Sequence, residues 1–127
     1  MNVLAAIAGI LTLVAVGIHA TVGAKEFRYI KPTSGKALEV WVQALSGWHW
    51  VSVDLLLVAL VLLTVGFSDV MADEDLALLL VSGYLVLCSV AWLVTVAIVG
   101  KGVERRFLKL SQWAFCLLIA ALAFGAR

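Results

Sequence analysis

The chain has 127 residues, of which 65% are hydrophobic and 13% charged; its mean hydropathy is +1.14 and its net charge +1. Average soluble domains are about 45–50% apolar and about 25% charged, so this apolar surplus is more than one small core can bury, and lipid must take the rest. The near-zero net charge argues against nucleic acid as a partner, and a composition this apolar, with a single proline and no low-complexity run, argues against a disordered tail.

The first apolar run, residues 3–24, has no Lys or Arg before it and no cleavage-site pattern near its end. It is expected to remain as a membrane anchor. Gly9 and Gly17, with Ala5 and Ala20, offer small surfaces for helix packing. His19 lies about one and a half turns before the end of the run, and charge begins with Lys25, Glu26 and Arg28.

Pro32 then marks a turn, after which Thr33 or Ser34 can cap a new helix. Leu38, Trp41, Leu45 and Trp48 recur at spacings of three and four, with Glu39, Gln43 and Ser46 between them. The spacing predicts a short amphipathic helix in the membrane interface, breaking near Gly47 into the second span. That span, 47–67, opens on Trp48, His49 and Trp50 and carries Asp54.

Asp69, Asp73, Glu74 and Asp75 make the next connection acidic. Asp73 reads as an N-cap, with Glu74 and Asp75 favoured by the first-turn dipole; a divalent cation there is the second reading. The third span, 76–99, offers Ser82, Gly83 and Ser89 as small surfaces for helix packing and also contains Tyr84, Cys88 and Thr95. A basic connection with Lys101, Arg105, Arg106 and Lys109 leads to a fourth and shortest span, 107–124. Cys88 and Cys116 form no CxxC or Cys/His pattern and read as small core residues.

A span needs about 20 mostly apolar residues, and backbone groups in lipid must be paired within the chain. The expected fold is therefore an all-α membrane protein: a single bundle of four transmembrane helices with a short interfacial helix before the second span. Every Lys and Arg except Arg127 falls in the first or third connection. Because positive residues mark the cytoplasmic side, both termini are expected outside, in the periplasm of a bacterial-type inner membrane.

Few ionisable side chains lie within the spans. An acid near a helix centre costs about 2.5–3.5 kcal/mol on insertion scales, so Asp54 is expected to face inward and pair. His19 and His49 are its nearest candidates, with Tyr84, Ser82, Ser89 and Thr95 as further donors. If the first helix continues, Glu26 follows His19 on the same face. Two readings fit this set. One is a polar clip between helices; the other is a proton-, ligand- or metal-binding site built from His19, His49, Asp54 and Glu26. Two histidines on facing helices can also ligate haem iron, although no CxxCH is present. Walker, HExxH and nucleophile-elbow signatures are absent.

His19, Gly23, Glu26 and the Trp48–His49 pair resemble the pattern of a group of small bacterial four-helix membrane proteins. Those read HSxxGE at the end of the first span and WH at the start of the second. The resemblance covers about the first 55 residues; Ala20 stands in the serine position and Ala24 in that of the glutamate. It implies the topology and the two histidines, and it carries no activity. The expected role is a subunit or accessory protein that meets other membrane subunits or itself. A small transporter or ligand-binding protein is the alternative, and catalysis the weakest reading.

Overall fold

The computed structural model describes all 127 residues and is helical throughout, without strands. The first rod runs Val3–Tyr29: α1 (Val3–Ile18), one π-helical turn (His19–Gly23) and α2 (Ala24–Tyr29). A turn through Pro32 reverses the chain, and Gly35 enters the next helix at φ +72°, a conformation that suits a residue without Cβ. Ser34 takes the N-cap position of α3 (Gly35–Phe67). After the acidic turn comes α4 (Glu74–Ile98), whose N-cap Asp73 accepts the Leu76 N–H at 2.9 Å, the capping role expected of it. A 3-10 turn (Gly100–Gly102), the four-residue α5 (Arg106–Lys109) and α6 (Gln112–Gly125) complete the chain.

The first rod, α3 and α4 are long and apolar enough to cross a membrane; α6 is apolar but has only 14 residues. At 1.5 Å per residue α6 extends about 21 Å, against about 50 Å for α3. The fourth apolar segment is therefore shorter than the hydropathy of 107–124 suggests. The chain turns at Leu110–Ser111, and α5 lies before that turn.

α1 packs antiparallel along α3 and also touches α6, which in turn packs along α4. α3 and α4 follow one another in the chain yet barely meet. The helices therefore follow the spatial order α3, α1, α6, α4. One core joins all four: Ala5 and Ala8, then Val58, Leu62 and Val65, Leu78 and Leu85, and Ile119, Ala120 and Ala123. Thr12, Ser82 and Ser89 are buried among these helices, and each hydroxyl donates to the carbonyl four residues earlier.

Asn2 ties one end together. Its N–H donates to the Gly66 carbonyl at 3.0 Å and its Nδ2 to the Ala126 carbonyl at 2.6 Å. Arg127 forms a two-pronged bond with Asp75 at 2.7 and 2.8 Å beside it. Both termini and the acidic turn thus share one end, and the two basic connections share the other.

Two expectations need correction. The helix does not break at Gly47: α3 runs through it without interruption. A helical glycine costs only about 1 kcal/mol, and side chains on both sides of it are held by the first rod. Trp41 Nε1 donates to the Phe27 carbonyl at 2.9 Å, and Trp48 Nε1 to the His19 carbonyl at 3.0 Å. The amphipathic stretch is the first part of α3, the second arm of a helical hairpin, and is continuous with the apolar segment that follows it. The second correction concerns glycines. Gly17 and Gly83 are exposed, and a Cβ on either would meet nothing within 4 Å. The close approaches are at Gly9, against Leu63; at Gly66, against the Ala6 backbone; and at Gly23, against Trp48.

Candidate functional site

A polar cluster sits where the first rod changes its winding. A π-turn inserts an extra residue and leaves helix carbonyls without their usual donor, and such turns are frequent at functional sites. Here the His19 carbonyl takes the indole N–H of Trp48 from α3. The His19 ring lies flat on Trp48, with centroids 4.0 Å apart and planes 6° from parallel. Phe27 tilts against the same indole at 5.2 Å. Gly23 is the residue that admits Trp48, because a Cβ there would overlap Cζ2 of the ring.

His19 Nδ1 lies 3.0 Å from Ser52 Oγ, and that hydroxyl points to the Trp48 carbonyl at 3.4 Å. Both contacts are satisfied when Nδ1–H donates to Ser52 and Ser52 donates onward. This tautomer leaves Nε2 with its lone pair. The site thus presents one half-buried imidazole, fixed by stacking and by a hydrogen bond, which can accept a proton or ligate through Nε2.

The other expected members are arranged differently. His49 is a neighbour of His19, but its side chain is exposed. Glu26 is exposed on α2 and joins no ion pair. Asp54 is exposed as well, not enclosed by the bundle. It approaches Tyr84 and, through it, Cys88 on α4, without a hydrogen bond of ordinary geometry. The tyrosine was among the donors expected for it; the histidines do not reach it. No group of three or more His, Cys, Asp or Glu side chains converges as a metal shell.

Sequence reasoning missed Ser52, which orients His19, and the pairing of Gly23 with Trp48. The signal for the latter was present: a glycine four residues after a histidine, and a tryptophan opening the next helix.

The basic end shows a further regularity. Trp92 Nε1 donates to the Leu110 carbonyl at 3.0 Å and Trp113 Nε1 to the Phe107 carbonyl at 3.1 Å. With Trp41 and Trp48, four of the five tryptophans hold carbonyls of irregular or terminal segments. Buried backbone acceptors need such partners. Trp48→Phe keeps the ring stack and removes the donor, so it should destabilise the fold by about 1 kcal/mol. Reversible unfolding in detergent measures this; unchanged stability would mean that the His19 carbonyl does not depend on the indole.

No protein-family model matches the chain, and no curated protein or solved structure matches it either.

Proposed function

We propose that this chain is a small integral protein of a bacterial-type inner membrane, with four spans and both termini outside, serving as a subunit or accessory protein of a larger membrane assembly. The observation that carries this reading is Asp54, an acid in the middle of a long apolar helix, exposed on the open side between α3 and α4, where it approaches Tyr84 without a hydrogen bond of ordinary geometry. A carboxylate facing hydrocarbon costs about 2.5–3.5 kcal/mol on insertion scales. A neighbouring membrane subunit that supplies a donor removes this cost. Two further features support the reading. The side between α3 and α4 is left almost unpaired, and α6, at about 21 Å, is short for a hydrocarbon core of about 30 Å. The orientation rests on the placement of Lys and Arg at the end opposite the termini.

The test is native mass measurement from mildly solubilised membranes with wild type, Asp54→Asn and Asp54→Leu. The expected wild-type species is larger than the 13.6 kDa chain. Asp54→Asn should retain much of that species, because an amide still hydrogen-bonds. Asp54→Leu should release a folded single chain, more stable in lipid than wild-type monomer by about 2–3 kcal/mol. A wild type that runs only as a single chain, or an Asp54→Leu assembly that stays intact, would remove this reading.

A second reading is favoured by the π-turn and by the free Nε2 of His19: a ligand or ion site at His19 and His49. Under it, His19→Gln abolishes binding or transport and leaves the assembled mass unchanged.

A further inference from the structure

The chain between α4 and α6 encloses an open cavity of about 630 Å³, lined by Lys101, Val103, Arg105, Arg106, Phe107 and Leu108. Half of this lining is cationic and half apolar, and no acid lines it. Neither of the chain's two ion pairs involves these cations: one joins Lys36 to Glu39, the other Arg127 to Asp75. Three positive groups facing one space repel each other, so the cavity favours an anion.

The backbone holds the cations in place. Arg105 adopts a left-handed conformation, φ 51° and ψ 39°, which turns the chain back on itself before α5. The stem of Arg106 packs over Gly100, where a Cβ would come within 3.4 Å of its Cδ. Its guanidinium lies 5.0 Å from the Phe107 ring centroid.

The depth of the cavity follows from Trp92 and Trp113, whose indoles hold the carbonyls of Leu110 and Phe107. Tryptophans at the ends of spans sit at the headgroup level. Beside the cavity, Leu108 is 75% exposed, and Ile98 and Val99 are also exposed, so hydrocarbon can continue from the polar space along the helix end. An anion joined to an apolar body fits both halves; a free anion would leave the apolar half unused.

We propose that this cavity binds the phosphate of an anionic phospholipid, with Lys101, Arg105 and Arg106 around the headgroup and its chains running along Leu108 and α4. The proposal rests on the reading of the chain as membrane-spanning. Resistance of the protein to alkaline extraction from membranes tests that reading separately.

Native mass spectrometry of the detergent-solubilised full chain, titrated with phosphatidylglycerol and with phosphatidylcholine of identical acyl chains, tests the site. Each basic residue near a lipid surface contributes about fivefold in binding. The expected preference for phosphatidylglycerol is at least tenfold. The triple variant Lys101→Gln, Arg105→Asn, Arg106→Gln should abolish it; asparagine tolerates the left-handed backbone. The variant Lys25→Gln, Arg28→Gln, Lys31→Gln loses the same charge at the other basic connection and should retain the preference. Should the triple variant misfold, Arg106→Gln alone should reduce the preference about fivefold. Four results would overturn the proposal: no lipid preference in the wild type, a preference that survives the triple variant or the Arg106→Gln substitution, equal loss in both triple variants, or full displacement by millimolar inorganic phosphate.

Discussion

Gly66→Ala should separate two packed helices with a single added methyl. A Cβ there would lie 2.7 Å from both Cα and N of Ala6, which are backbone atoms of α1 and cannot rotate away. The helices must separate, and the bond from the Asn2 N–H to the Gly66 carbonyl stretches with them. Overpacking costs about 1–3 kcal/mol, and a lost hydrogen bond about 1 kcal/mol more. Alanine returns about 1 kcal/mol of helix propensity, for a net loss of about 1–3 kcal/mol. Gly83→Ala and Gly17→Ala are the internal controls. Their sites are open, so only the propensity gain remains, and both should be neutral or stabilising by up to about 1 kcal/mol. Unfolding of the three variants in the same micelles decides this. Equal stability of Gly66→Ala and Gly83→Ala would show that the α1–α3 seam is not tight at Gly66.

Gly23→Ala should disrupt the candidate site itself. The added methyl would overlap Cζ2 of Trp48, and the ring has little room to slide: His19 covers one face and Phe27 tilts against it. Trp48 must turn out, which ends the stack on His19 and the bond to its carbonyl. The expected loss is about 2–4 kcal/mol, with a change in tryptophan emission. Trp48→Leu should cost nearly the same alone, and the double variant little more than either, because both act on one contact. Additive losses would mean that Gly23 and Trp48 act separately. A ligand site at His19 would lose its affinity in both variants.

The apolar runs, the Asp73 cap and the gathering of every Lys and Arg but Arg127 into two connections could be read from the residues in order. Each is a local or summed property: hydropathy adds along a window, and a cap involves only the next turn. Pairing was not local. The expectation of a break at Gly47 failed because a single glycine costs less than the contacts of Trp41 and Trp48 with the first rod provide. Gly17 and Gly83 look as suited to helix packing as Gly9 and Gly66. Which of them meets a neighbour depends on how each helix is rotated about its own axis, and that rotation is set by all its contacts together.

The same reason separates the two halves of the predicted polar cluster. His19 and Trp48 met because the first rod and α3 form a direct antiparallel hairpin, whose short turn fixes their register. Asp54 stayed exposed because α3 and α4, although consecutive, are held apart by the pairing of α1 with α3 and of α4 with α6. Composition thus determined that this chain forms helices long and apolar enough to cross a membrane, and charge placement determined which end carries most of the cations. Only the tertiary structure decided that His19 is held by Trp48 and Ser52, that three cations share one cavity, and that Asp54 stays exposed near Tyr84 and away from His19, since each depends on the order of helices in space.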